Sequence, residues 1–490
     1  MSDLPTEAVN TPADRSRGTA VPPSPSADST ATGTIASLTG VIRIKLREPA
    51  RMRNLELLLL IIACGIDIGA LVLVQLGALG AIDTTVIYLG LVIVALVFAF
   101  HIVLRVVASD ADPFILPIAT VLNGLGIAEI YRIDIGNGDE GWAGFGMKQI
   151  VWTAIAMVLA MVVICVVRNH RMLQRYSFVA MFVGLVLLLL PMLPFVGQRI
   201  NGAQLWVSFF GIFTFQPGEL AKIALAVFFA GYLVSARDSL SMVGRKFLGM
   251  RFPRARDLGP ILVVFAVSML VLIFQRDLGT SLLYFGLFLV MLYVATGRAS
   301  WIVLGLSLFA AGAIIASQTL TYVNGRVASW LDALNADIYN APGGSYQLVQ
   351  GLFGLATGGL VGTGLGQGRP QTVPLAESDY IIASLGEELG LIGVFAILGL
   401  YLLFVSRGFR IGFAGQDDFG RLLGVGLAFV IGLQVFIVIG GVTRVIPLTG
   451  LTTPFLAAGG SSLVANWIIA ALLLRLSDTI RHQPRLVVEA

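Results

Sequence analysis

Twelve apolar runs, most about twenty residues long, follow one another between Leu55 and Leu476, and that length is what one crossing of a bilayer takes. Lipid offers no water to a backbone amide, so each run must close its own hydrogen bonds as a helix. The runs lie near residues 55–78, 85–107, 114–131, 147–167, 174–194, 216–235, 258–275, 278–296, 299–319, 380–405, 420–442 and 453–476. The pattern predicts an all-α polytopic membrane protein with about twelve transmembrane helices. Composition agrees, at 57% hydrophobic and 12% charged residues with a mean hydropathy of +0.89. Soluble domains carry roughly 25% charged residues, so a soluble fold with a single anchor is excluded.

The flanks and loops set the orientation. Residues 1–54 read as a cytoplasmic tail whose first forty or so residues, rich in Ser, Thr, Pro and Ala, lack the apolar surface to offset ordering entropy. Arg43, Lys45, Arg47, Arg51 and Arg53 then form a basic cluster suited to anionic headgroups. No short apolar stretch with a small-residue cleavage site is present, so no cleaved signal peptide is expected. The net charge of +4 matters through its distribution. Counting from a cytoplasmic start, the inner loops 168–175, 236–257 and 406–421 and the tail 477–490 carry Arg171, Arg245, Arg410, Arg485 and their basic neighbours. The outer loop 133–146 is acidic and has no Lys or Arg. Both termini are therefore expected in the cytoplasm. Cys64 and Cys165 lie inside apolar runs and read as packed thiols rather than a disulfide or metal site. His101, His170 and His482 fall on the inner side, which argues against a zinc centre or a Ser-His-Asp triad on the outer face.

One outer loop, 320–379, is far longer than the rest. Loops beyond about 12–15 residues are usually functional or disordered. Its aromatic residues and the stretch YQLVQGLFGLA predict short interfacial helices, and a cysteine at Ser345 is expected to be reachable from outside. The loop ends at Asp379, immediately before an apolar run. A carboxylate carried to the bilayer centre would cost about 2.5–3.5 kcal/mol. Asp379 is either a helix-terminal carboxylate favoured by the helix dipole or a catalytic base.

Other charges are few enough to weigh one by one. In FQPGELAK, Glu219 and Lys222 are three apart on one helix face. They form an intrahelical ion pair, or Glu219 holds Lys222 toward a phosphate. In QRDLGT, Arg276 and Asp277 sit in a tight outer turn and suit helix capping. Arg199, Arg326 and Arg444 are outer-face arginines, fit either for lipid headgroups or for an anion such as a diphosphate. The glycines at 362–368 follow no strand and belong to no βαβ unit, so they serve tight turns and close backbone approach, not dinucleotide binding. Glu387 and Glu388 share no face with Asp379 and read as buried, paired groups, with Glu387 the better candidate for a functional role.

Taken together, FQPGELAK, QRDLGT, SYQLVQGLFGLATGGLVGTGLGQG, PLAESDYIIASLGEELGLIG and IPLTGLTTPFLAAGGSS resemble, in order, the motifs of the SEDS family of shape, elongation, division and sporulation proteins. The resemblance covers residues 114–476, a ten-span core, and is nearest to RodA-type members from actinobacteria. Residues 55–113 are then two added N-terminal helices. The family pattern has Glu and His where Leu375 and Glu377 stand, a proline at Arg276, and an asparagine absent from VFIVIGGV. The resemblance implies a bacterial plasma-membrane glycosyltransferase that polymerises lipid II during cell elongation, with Asp379 catalytic. It implies that Lys222, Glu219, Arg199, Arg276 and Gln216 face the substrate diphosphate, with Glu377, Arg326, Arg444 and Glu387 in support. It also implies a class B penicillin-binding protein as partner, no nucleic acid, and a divalent Mg2+ or Mn2+, although no metal-ligand cluster is visible in the sequence. A lipid II flippase or a non-catalytic scaffold are the competing readings. A flippase needs polar groups along a mid-membrane path, and a scaffold has no need of Asp379.

Overall fold

The computed structural model describes residues 49–481, apart from 140, 201, 210–212, 237–245, 248–249 and 252–254. The sequence readings at Arg43, Lys45, Arg47, Arg485 and most of loop 236–257 lie outside the described residues. Nine helices among the described residues are long and apolar enough to cross a membrane. Those used below are Pro49–Leu79 (α1), Thr84–Val107 (α2), Phe145–Val166 (α4), Pro217–Ser235 (α6), Leu278–Thr296 (α8), Ser300–Thr319 (α9), Ile381–Ala414 (α12), Asp418–Val442 (α13) and Gly460–Arg481 (α14). The other three expected spans are also helical. Ile115–Asn137 (α3) carries Glu129, Arg132 and Asp134 in its outer half, while Ser177–Leu189 (α5) and the apolar part of Ala255–Gln275 (α7) are short.

Contacts between distant loops verify the parity of the count. Arg481 meets Asp112 at 2.5 Å and Arg407 meets it at 3.7 Å. Arg475 donates to the carbonyls of Val107 and Val167, at 2.8 and 2.9 Å, and His170 meets Asp417 at 2.9 Å. The ends of α2, α4, α12 and α14 and the starts of α3 and α13 therefore lie on one face. Arg53, Glu56 and His101 form a buried chain at the start of α1 on the same side, with contacts of 2.6 and 2.7 Å.

Several boundaries differ from the sequence reading. The last helix begins at Gly460, not near 453. Pro454 and the positive φ of Phe455 and Gly459 hold residues 443–459 as a loop. The segment before α6 is a three-stranded antiparallel sheet, Gly197–Ile200, Ala203–Phe209 and Phe213–Phe215 (β1–β3), with Val207 opposite both Gly197 and Phe215. Alternating aromatic and β-branched residues there favour a pleated surface. Cys64 is buried, but Cys165 is exposed on the apolar outside and is not a packed thiol.

The tenth span starts later than its hydropathy predicts. Gly390, at φ 70° and ψ −176°, breaks α12. Exposed large apolar side chains on that helix begin at Leu391, directly after the break, and run to Leu403, ahead of Arg407 and the exposed Arg410 at its inner end. Gly390 thus marks the outer boundary of the lipid, and Asp379 lies eleven residues beyond it in the chain. The burden on its carboxylate comes from surrounding protein rather than from lipid.

The long outer loop is ordered into Thr321–Leu331 (α10), a short turn of helix at Ala336–Asn340, and Tyr346–Gly358 (α11). After α11 the chain passes through Gly362, Gly364 and Gly366, all at positive φ, and laces onto the break in α12. Leu391 and Ile392 donate to the carbonyls of Gly359 and Leu360, and Gly364 donates to that of Glu388, at 2.9–3.1 Å. Gly366 also lies against Gly77 of α1, where a β-carbon would fall 2.5 Å from the Leu365 carbonyl.

Ser345, a labelling site on sequence grounds, is fully buried and bonds the Ala333 carbonyl at 2.6 Å. Asn340 is exposed on that outer layer, and Gln416 is exposed in the loop between α12 and α13. With Cys64 and Cys165 replaced, an impermeant thiol reagent should label Asn340→Cys in intact cells. It should label Gln416→Cys only after permeabilisation. The reverse pattern would invert the assigned orientation.

Candidate active site

Asp379 lies in the turn before α12 and does not cap it. The N-cap position is Tyr380, and no side chain caps the helix. Asp379 therefore accepts no capping hydrogen bond from α12. Instead the carboxylate converges with Arg326 of α10 on Gly450 in the 443–459 loop. A β-carbon on Gly450 would meet Asp379 Oδ2 at 3.6 Å and Arg326 Nη2 at 3.8 Å, and φ there is +79°. Glycine keeps the space between acid and guanidinium open. Arg326 Nη1 donates to the Leu448 carbonyl at 2.7 Å, which holds the guanidinium in place.

Burial pushes the Asp379 carboxyl up to about 6, while the Arg326 charge and the Ser378 hydroxyl pull it back down. Glu377 is raised as well, chiefly by burial, and its backbone carbonyl accepts from Ala458 at 2.7 Å. Asp277 caps α8 by accepting from Thr280 N at 2.9 Å, as expected of that turn. Burial raises it too, and its charge reaches both Arg326 and Asp379. Arg276, exposed at φ 62°, lies 5.8 Å above the Tyr322 ring. The proline of the family pattern could not adopt that φ, so this turn differs in backbone as well as side chain. The Tyr322 hydroxyl is buried without a partner beside the two arginines. Sequence reading missed Tyr322 because a lone tyrosine in a loop carries no signal.

Lys222 is placed differently from expectation. It is 2% exposed, and its ammonium meets Glu219 Oε2 at 2.7 Å, Gln434 Oε1 at 3.0 Å and Asn466 Oδ1 at 3.4 Å. An ammonium has three protons to donate, so none is left for a diphosphate. The Glu219–Lys222 ion pair is formed, as both sequence readings of the pair require. The pair still bears on the site. Gln434 Nε2 donates to the Thr452 carbonyl at 2.8 Å, and the Thr452 hydroxyl meets Ser462 at 2.9 Å. Ser462 also accepts from Asn466 at 3.2 Å. This network fixes the loop that presents Gly450. Gln434 and Asn466, polar residues inside apolar runs, were the available signal.

The remaining candidates divide. Gln216 donates its backbone N–H to Ser461 Oγ at 2.8 Å and so joins the start of α6 to α14. Arg199 is exposed on β1. Arg444 spends its guanidinium on the last carbonyls of α10, Trp330 and Leu331, at 2.6 Å each, instead of on an anion. Glu387 accepts from Arg369 N at 2.8 Å. Glu388 accepts from Arg132 at 3.0 Å and from Gly366 and Gly368 at 2.7 and 3.2 Å, so both glutamates hold the glycine loop. No three His, Cys, Asp or Glu side chains converge among the described residues. Mg2+ is ordinarily held by one or two carboxylates together with substrate phosphates rather than by an all-protein cage, and the carboxylate available here is Asp379, beside a guanidinium.

A family model for FtsW, RodA and SpoVE, described as cell cycle protein, matches residues 113–482. The chain belongs to the FtsW/RodA/SpoVE family. It is 44% identical over 436 residues to peptidoglycan glycosyltransferase RodA of Mycobacterium tuberculosis, covering 88% of this chain and 92% of that one. It is 33% identical over 344 residues to stage V sporulation protein E of Bacillus subtilis, covering 69% and 88%. Among solved structures it superposes on a chain of a peptidoglycan synthase complex with a TM-score of 0.59 and 25% identity, covering 76% and 99%. It matches rod shape determining protein RodA of Thermus thermophilus in fold, with a TM-score of 0.50 and 24% identity, covering 76% and 98%. The FtsW/RodA/SpoVE match begins at residue 113, after α1 and α2.

The Lys222 geometry makes a prediction about this family member. Lys222→Met leaves the Glu219 carboxylate buried without its charge partner and should cost about 3–5 kcal/mol. Adding Glu219→Gln removes the stranded charge and should recover much of the loss. Thermal unfolding in detergent measures both. A Lys222→Met protein melting with the wild type would show that the pair is not what holds α6, α13 and α14.

Proposed function

We propose that this chain is a peptidoglycan glycosyltransferase that polymerises lipid II, with Asp379 as general base. The carrying observation is a carboxylate near neutral poise, free of any capping duty and paired across Gly450 with one guanidinium. The names of the relatives support the reaction class. In the reaction, Asp379 takes the proton from the 4-hydroxyl of the acceptor sugar. The hydroxyl oxygen attacks the anomeric carbon of the growing strand, with inversion, and undecaprenyl diphosphate leaves. A positioned base contributes about 10²–10⁴-fold. The departing diphosphate carries its own charge away, so no second carboxyl is needed as acid. Arg326 and Arg276, near each other on the outer side, are suited to that anion. Lys222 acts at one remove, by positioning the loop. No step is routed through a metal.

The proposed partner is a transpeptidase, specifically a class B penicillin-binding protein. The family resemblance supports it, as does the similarity to a complex described as coordinating polymerization and crosslinking. The same reading places both termini in the cytoplasm of a bacterial cell.

Asp379 sets the pH behaviour. A base whose pKa is about 6 loses its deprotonated form below that pH, so kcat/KM for strand synthesis should fall about tenfold per unit there. Arg326→Met removes a charge that lowers the Asp379 pKa, so the acid limb should move to higher pH. An unmoved limb would sink the assignment of that limb to Asp379.

Stability runs the other way. The folded carboxyl titrates above its ordinary range, so its favourable contribution is complete below about pH 4 and is lost as pH rises through about 6. Asp379→Asn should therefore melt no lower than wild type at neutral pH while losing at least about a hundredfold in polymerisation. Robust strand synthesis by purified Asp379→Asn with its partner would overturn the base. Lipid II transfer across vesicles without strand synthesis by the wild type would favour the flippase.

A further inference from the structure

A cavity of about 40 Å³ lies on the seam between the two N-terminal helices and the family core, walled by α1, α2, α3, α4 and Trp467 of α14. Its walls are mostly aliphatic, including Ile68, Leu71, Ile93, Val97, Ile127 and Met157. One carboxylate faces it, Asp67 of α1. The exposed apolar face of α1 runs from Leu55 to Leu79, so Asp67 stands about 18 Å along the helix from either end, at mid-membrane. Its carboxyl lies flat against Gly124 of α3, where any β-carbon would collide with it. Oδ1 is buried and has no hydrogen-bond partner. The other polar side chains of the cavity are already engaged. Thr120 donates to the Leu116 carbonyl at 2.9 Å, and Asn123 donates to Thr153 at 3.2 Å. Asn123 also accepts from Trp467 Nε1 at 3.0 Å.

We propose that this cavity binds the head of a lipophilic amine, entering from the bilayer and pairing with Asp67. A carboxylate alone at this depth is costly, and a neutral acid beside aliphatic walls gains little. An amine changes both. The Asp67 carboxyl gives its proton to the amine nitrogen, total charge is unchanged, and the resulting ammonium and carboxylate attract strongly where the dielectric is low. A single water needs about 10–15 Å³ of such space, so the volume admits a compact amino head and leaves the alkyl tail among the lipids. Asp67 and the α1 and α2 walls precede the family-matched region, while α3, α4 and Trp467 lie within it, so the site is a seam between the two and stands apart from the groups around Asp379.

The test uses the full chain in lipid nanodiscs and three photoreactive C12 probes that differ only in the head: primary amine, alcohol and carboxylic acid. Peptide mapping should find the amine crosslinked around Cys64–Leu71 at least tenfold more than either other probe. Asp67→Asn should abolish that excess. Ile93→Trp, which fills the cavity and leaves the carboxyl in place, should abolish it as well, and it decides the matter if Asp67→Asn does not fold. Equal crosslinking by amine and alcohol, or an unchanged excess in either folded variant, overturns the site and leaves Asp67 as a structural group.

Discussion

The Lys222 ammonium is the charge on which the arrangement of the core depends. Taking an ammonium out of water costs several kcal/mol, and only close, well-directed acceptors return it. Here they come from three helices, Glu219 of α6, Gln434 of α13 and Asn466 of α14. The requirement fixes where these helices stand relative to one another. It then passes through Thr452 and Ser462 to the 443–459 loop. That loop supplies the Leu448 carbonyl that holds Arg326 and the glycine beside which Asp379 rests. A buried pair thus helps to set the geometry of the groups around Asp379.

A second constraint acts at the outer edge of the lipid. The break at Gly390 frees backbone groups that a continuous helix would have satisfied. The glycine loop supplies partners, and Arg132, Glu387 and Glu388 tie the loop down. Gly77 of α1 closes on the same loop at Gly366. Because of this break, the residues before Gly390 belong to an outer protein layer and not to the membrane span. Asp379 is consequently half-buried among protein groups, which raise its pKa without the full penalty of hydrocarbon. The carboxylate is less stable there than in water, and that is what makes it a competent base near neutral pH.

Much of this was legible in the sequence. Apolar length announced the spans, and the basic loops paired the right faces, as the contacts of Asp112 with Arg481 and Arg407 verify. The motif residues Asp379, Glu219 and Lys222 were found by type and order. Their roles were not. Spacing alone put Glu219 and Lys222 on one face, and could not say whether the ammonium had a proton to spare. Gln434, which accepts one of those protons, is 212 residues away. Gln434 and Asn466 stood in plain view as polar residues in apolar runs, but their partner was not visible.

The sequence by itself determined the class, an all-α polytopic membrane protein, and the identity of the family. Each of these follows from hydropathy, charge or motif order, which are properties of residues close together in the chain. Only the tertiary structure decided that the tenth span begins at Gly390, that Lys222 is spent, that Arg444 caps α10, and that Asp379 and Arg326 meet across Gly450. It also set Asp67 against Gly124 at mid-membrane. These outcomes depend on which distant segment fills the space beside a buried charge, and a charge in low dielectric is governed by its nearest partner wherever in the chain that partner lies.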